Sequence, residues 1–243
     1  MTLIPAESWP EARATNDMDL LLRPEIVTRA EHMKTIRDGL DRLGFEVVKG
    51  AEFYQFAKRL GGSRYVKVDL LAGPLGQYED PSRVKVDSRR VKPKPSVGLH
   101  AHRSDEAVAY DLEPITVSLS GTRSSGEKAV YEVTIPQAFS YLMMKLLAFR
   151  DRKDDAEKEF AQHHALDLYR IVAMLSEPEY TSVQSLSTTY RDDDQVREAS
   201  RIVSGFFAET GALGILRMRE HPLFVGGFDL KQFIEVLREL FPK

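Results

Sequence analysis

Asp17 and Asp19 flank Met18 at the head of an apolar run, NDMDLLLR over 16–23. In an extended chain a spacing of two sends both carboxylates to one face, roughly 7 Å apart along the strand. A third acid, Asp69, stands in YVKVDLL over 65–71, where Val68, Leu70 and Leu71 predict a second buried strand. Pairing of the two strands would bring Asp69 to within roughly 5 Å of the first two acids. Carboxylates so gathered repel and raise one another's pKa, and one or two Mg²⁺ ions, which take oxygen ligands at about 2.1 Å, offset that repulsion. The chemistry-free alternative has Asp17 capping a turn and Asp69 ending a solvated strand. Against it, each acid abuts leucines, where an unpaired carboxylate is costly.

Acids on strands need a sheet to hold them, and the chain supplies one. The spacing of Ile26, Met33, Ile36, Leu40 and Leu43, between Pro24 and Gly44, predicts a helix over 24–43. Strands are predicted over 45–48, 53–56 and 65–71, with Gly61-Gly62-Ser63 as the turn between the last two. Short alternating bursts, VKVDS, VGLHAH, ITVSLS and AVYEV, extend the strand pattern through 84–131. Past Pro136 the periodicity becomes helical over 137–152, 155–175, 192–209 and 228–241, with 182–189 read as a polar connector. The expected fold is α+β, an N-terminal mixed-sheet domain over 1–135 followed by a C-terminal helical domain over 136–243.

Polar residues interrupt two of the apolar helices. Lys145 lies among Phe139, Leu142, Met143, Leu146, Leu147 and Phe149, so its ammonium must snorkel outward or meet an anion. In the next helix Phe160, His164, Asp167, Ile171 and Met174 fall on one stripe, placing a carboxylate and an imidazole in an apolar face. Between 83 and 103 stand Arg83, Lys85, Arg89, Arg90, Lys92, Lys94 and Arg103 against one acid, Asp87. Such a ribbon is able to follow RNA phosphates, or else serves as a charged edge that resists aggregation. His100 and His102 share a strand face, with no third ligand evident for a metal.

RATNDMDLLLR over 13–23, KVDLL over 67–71, PQAFSYLMMKLLAFRDR over 136–152 and HHALDLYRIVAML over 163–175 occur in this order. Together they resemble the polymerase-β-like nucleotidyltransferase superfamily, and within it the AbiEii-type toxin nucleotidyltransferases. The resemblance implies a nucleotidyltransferase-like sheet domain that moves a nucleoside monophosphate from an NTP to an acceptor hydroxyl. It assigns metal binding to Asp17, Asp19 and Asp69 and a donor-binding hydroxyl to Thr15. It also assigns triphosphate contact to Lys145 and positioning to Asp167. The acceptor it implies is a tRNA 3′ end or a protein hydroxyl, and the partner a cognate antitoxin. Family members carry a Gly-Gly or Gly-Ser turn ahead of the acidic pair, whereas residues 1–16 contain no glycine. A second reading is therefore a nucleotidyltransferase-fold binding module without catalysis.

Composition narrows the remaining classes. The 243 residues are 42% hydrophobic and 29% charged, enough to bury a sizeable core. A net charge of -3 argues against a polybasic nucleic-acid coat and leaves room only for a local basic patch. No cysteine is present, which removes disulfide scaffolds, thiolate zinc sites and cysteine nucleophiles, and fits a cytoplasmic protein. The leader, with Glu7 and Glu11, lacks the pattern of a secretory signal, and no apolar run approaches the ~18 residues of a membrane span.

Overall fold

A computed structural model of the chain describes residues 3–4, 9, 15–87, 89–123, 125–224 and 227–243. The leader acids Glu7 and Glu11, and Arg13 at the head of the first resembling segment, lie outside the described residues. The architecture is α+β and divides into two compact units, Ala12–Glu106 and Ala107–Lys243, the second including the Met1–Glu11 segment. The sequence reading places a boundary near 135, whereas the observed division falls between Glu106 and Ala107. The strand pair β8 (Ile115–Thr122) and β9 (Lys128–Ile135) falls in the second unit and forms a separate two-stranded sheet.

The first unit holds β1 (Asp17–Leu22), α1 (Pro24–Val27), α2 (Ala30–Arg42), β2 (Glu46–Val47), β3 (Gln55–Gly61) and β4 (Arg64–Ala72). It continues through β5 (Val84–Val86), β6 (Arg90–Pro93) and β7 (Ala101–Arg103). Seven strands form one mixed sheet in the order β2-β3-β4-β7-β6-β5, with β1 added in parallel to β4. Asp69 pairs with both Asp19 of β1 and Gln55 of β3, and Leu71 with both Leu21 of β1 and His102 of β7. Thus β1 occupies one edge of β4, while β3 and β7 share the other. Phe56, Val68, Leu70, Ala72, Val91, Leu99 and Ala101 alternate to a single face and form a core with Val27, Met33 and Leu40 of the helices. Gly61 and Gly62 turn the β3–β4 hairpin at φ 107° and 58°, values that glycine adopts without steric cost.

The second unit is built from α3 (Ala138–Arg152), α4 (Gln162–Met174), α5 (Glu177–Thr189), α6 (Asp194–Phe206), α7 (Leu213–Arg219) and α8 (Leu230–Leu240). Apolar nearly all round, α3 packs against α4, α5 and α6, which bury Phe139, Leu142, Met143, Leu146, Leu147 and Phe149. No helix among the described residues is long and apolar enough to cross a membrane.

Several expected elements differ. The helix expected over 24–43 breaks at Thr28, whose hydroxyl donates to the Pro24 carbonyl at 2.7 Å and helps close α1 after one turn. The one expected over 155–175 begins as a 3-10 stretch, Ala156–Ala161, in which Glu159, Phe160 and Ala161 take φ of 49°, 50° and 60°. Phe160 accordingly lies off the α4 stripe. The polar connector over 182–189 is the second half of α5, started by Glu179, which accepts the Ser176 N–H at 2.8 Å, and by Pro178 in its first turn. Its Ser and Thr content hid it.

The α6–α7 packing yields a stability test. A Cβ on Gly214 would stand 2.4 Å from the ring of Phe207 and 2.7 Å from the Phe206 carbonyl oxygen. Gly214→Ala is therefore expected to destabilise the helical unit by about 1–3 kcal/mol. Gly205→Ala, with nothing within 4 Å of the added carbon, is expected to stabilise it by up to about 1 kcal/mol. Urea unfolding of the full chain followed by circular dichroism measures both.

Candidate functional site

The alternation that sends apolar side chains to the core sends the candidate residues to the opposite face of the same sheet. Asp17 and Asp19 stand there on β1, Lys67 and Asp69 on β4, His102 on β7 and Arg90 on β6. Lys67 is the register partner of Asp17, and Asp69 is that of Asp19. The strand pairing that the three-acid reading needs is therefore present.

Around this register the groups differ. Asp17 is half-exposed and meets the Lys67 ammonium at 3.6 Å. Its backbone N–H donates to the Thr15 hydroxyl oxygen at 3.1 Å, so Thr15 shapes the approach to β1 and keeps its own O–H to donate. Asp69 is held deeper, and its Oδ1 is buried with no hydrogen-bond partner. An orphaned buried carboxylate oxygen costs free energy unless a cation or donor meets it. Among the described residues, no group of three or more His, Cys, Asp or Glu side chains is placed to hold a metal ion. The donor set nonetheless suits a hard divalent cation: oxygen ligands only, on adjacent rigid strands, one of them unpartnered.

Compared with protein-family models, curated proteins and solved structures, the chain matches none.

The basic ribbon is only partly available to a ligand. Arg83 pairs with Asp80 at 3.6 Å, Arg103 with Asp105 at 2.7 Å, and Lys94 donates to the Pro81 carbonyl at 2.5 Å. Asp87 accepts the N–H groups of Arg89 and Arg90 and the Lys92 ammonium. The Arg89 N–H and then Lys92 hold its carboxyl down at about 2. Lys85 is the register partner of Lys92. The Arg90 guanidinium lies 4.9 Å from the centre of the Tyr54 ring. Lys67, Tyr54 and the shared face of Arg90 and His102 escaped sequence reasoning, although the alternation in YVKVDLL already aligns Lys67 with Asp69.

Lys145 and Asp167 belong to the helical unit, where they are partners of each other. The Lys145 ammonium donates to Asp167 at 2.7 Å, and Arg170 stands 3.9 Å from the other carboxylate oxygen. The anion that Lys145 requires among apolar neighbours is thus supplied by α4. His164 lies beside this pair with its Nδ1 buried and unpartnered. Burial first, then Lys145 and Arg152, push its pKa down to about 3.

That shift makes stability depend on pH. In the unfolded chain His164 takes up a proton near 6.5, whereas the folded chain refuses it until about 3. Its contribution is complete above 6.5 and is lost as pH falls through the interval, with a slope of about 1.4 kcal/mol per pH unit. His164→Gln is expected to flatten the acid limb of the urea midpoint between pH 6 and 4 by that slope. The wild-type ring is expected to remain neutral at pH 4.5 by NMR.

Proposed function

We propose that the chain is a divalent-metal-dependent nucleotidyltransferase that moves a nucleoside monophosphate from an NTP to an acceptor hydroxyl. The observation that carries the reading is the register of Asp19 with Asp69 and the buried, unpartnered Oδ1 of Asp69. Asp17, Asp19 and Asp69 would hold Mg²⁺, which when bound neutralises charge developing on the triphosphate. Convergence of the three carboxylates on one ion would require their side chains to rotate, since among the described residues they do not form a metal-holding group. In the displacement the acceptor oxygen bonds to the α-phosphorus, the bond from that phosphorus to the β-bridging oxygen breaks, and pyrophosphate leaves. Asp69, the least hydrated of the three acids, suits the role of taking up the proton of the acceptor hydroxyl. Lys67 holds Asp17 in place until a cation replaces it. Lys145 and Asp167 enter through the resemblance alone, as do a tRNA 3′ end or a protein hydroxyl as acceptor and an antitoxin as partner.

The second reading, a binding module without catalysis, is favoured by carboxylates that form no metal-holding group among the described residues. Transfer of α-labelled NTPs, each supplied separately with Mg²⁺, onto total tRNA and onto protein separates the two. Incorporation with pyrophosphate release, reduced at least 100-fold in Asp17→Ala, Asp19→Ala and Asp69→Ala, is the expected result. Absence of label with all four nucleotides on both acceptors would count against transfer and favour the binding module.

A further inference from the structure

The face of the sheet that carries the acids also carries a cationic corner. Leu99 and Ala101 point into the core, so His100 and His102 point to the opposite face, where Arg90 is the register partner of His102. His100 precedes β7 and packs its ring 5.1 Å from that of Phe53. The Tyr54 ring organises the corner, with the His102 ring centred 5.6 Å away and the Arg90 guanidinium 4.9 Å away. Arg90 also donates to the Glu52 carbonyl at 3.4 Å.

Charge at this corner is unequally compensated. Asp87 takes the Lys92 ammonium at 3.1 Å, yet the effect of Lys92 and Arg90 on His100 outweighs that of Asp87. Burial, then Lys92 and Arg90, hold the basicity of His100 below its ordinary range, and its Nδ1 is buried without a partner. Glu52 is held down mainly by its backbone hydrogen bonds, the first from Gly50, with Arg90 a smaller cause. The corner thus holds Arg90 against the Tyr54 ring and Lys92 paired with a single carboxylate, Asp87, beside a histidine whose Nδ1 has no partner.

We infer that this corner is an anion subsite for the phosphate groups of a polyphosphate, with Arg90 and Lys92 as its binding residues. Class of ligand follows from the neighbourhood. Arg90 lies two strand spacings and two residues from Asp69, roughly 12 Å between Cα atoms. Acids at one end of this face call for a divalent cation, and cations at the other call for further negative charge. A chain of phosphates coordinated to a metal supplies both and bridges the interval. The corner would do with side chains what a glycine turn does with backbone N–H groups. Identification of the ligand as an NTP rests on the proposed transferase reading, whereas the anion subsite itself does not.

Metal-free titration of the full chain with inorganic tripolyphosphate in EDTA, by calorimetry and histidine-detected NMR, tests the subsite. Tripolyphosphate and ATP are expected to bind within about threefold of each other, adenosine not at all, and the His100 ring resonances to move on binding. Arg90→Gln and Lys92→Gln, each checked for folding by circular dichroism, are expected to weaken binding at least tenfold. Asp69→Asn is expected to leave metal-free binding within about twofold while abolishing transfer, so loss of transfer alone would not touch the subsite. Unchanged affinity in both cation variants, or unmoved His100 resonances, would overturn the inference. Tighter binding of a single-stranded RNA without a 5′ triphosphate, lost in the same variants, would overturn the polyphosphate assignment.

Discussion

Six consecutive pairs, from Asp17–Lys67 to Leu22–Ala72, lock β1 against β4 in parallel. A slip of one residue would turn the acids of β1 into the helix-covered core and expose Leu22, so the cost of burying a carboxylate and the gain of burying a leucine enforce the same register. Position along the strand is thereby fixed to one residue. Parallel pairing also requires a long connection. The α1–α2 crossover supplies Val27, Met33 and Leu40 to the core and closes one face.

What remains is a sheet with two chemically opposite faces. On the covered face, Phe56, Val68, Leu70, Val91 and Ala101 exclude water. On the other, charge is graded across the strands, with carboxylates on β1 and β4 and guanidinium and ammonium groups on β6. The strands that carry them are short and ladder-bonded, which limits backbone adjustment and leaves side-chain rotation as the means of converging on a ligand. Surface ion pairs such as Asp17–Lys67 contribute little to stability and yield readily to a better partner. The buried oxygen of Asp69 differs, because no protein donor competes for it.

Much of this was legible from side-chain periodicity. The D-x-D spacing, the apolar runs behind Asp19 and Asp69, and the Gly61-Gly62 turn suffice to place three acids on paired strands. The buried helix around Lys145 was equally plain, though its anion, Asp167 on α4, was one of several open possibilities. Signals failed where local and tertiary preferences conflict. Thr28 looks like a helix interior until its hydroxyl takes the Pro24 carbonyl. Phe160 fits an apolar stripe until three left-handed residues take it off the helix. Ser and Thr over 182–189 look like a loop because their helical cost is met by capping at Ser176 and Glu179. The boundary near 135 followed the change from strand to helix pattern, whereas the contacts follow the self-paired β8–β9 hairpin. Cationic neighbours on β6 were visible as a charge run but not as a face, because face depends on cross-strand register that no single segment encodes.

The most direct test of the account is Mn²⁺ binding to the full chain, read as the loss of the free-ion signal in electron paramagnetic resonance, with Asp19→Asn and Asp69→Asn alongside. The account requires saturable binding of at least one ion by the wild type, weakened tenfold or more in each variant, with Arg191→Gln, a change at an exposed side chain of the helical unit, leaving it unchanged. Absence of saturable binding, or binding that survives both substitutions, would contradict it and leave the β1–β4 acids as ordinary polar residues of a sheet.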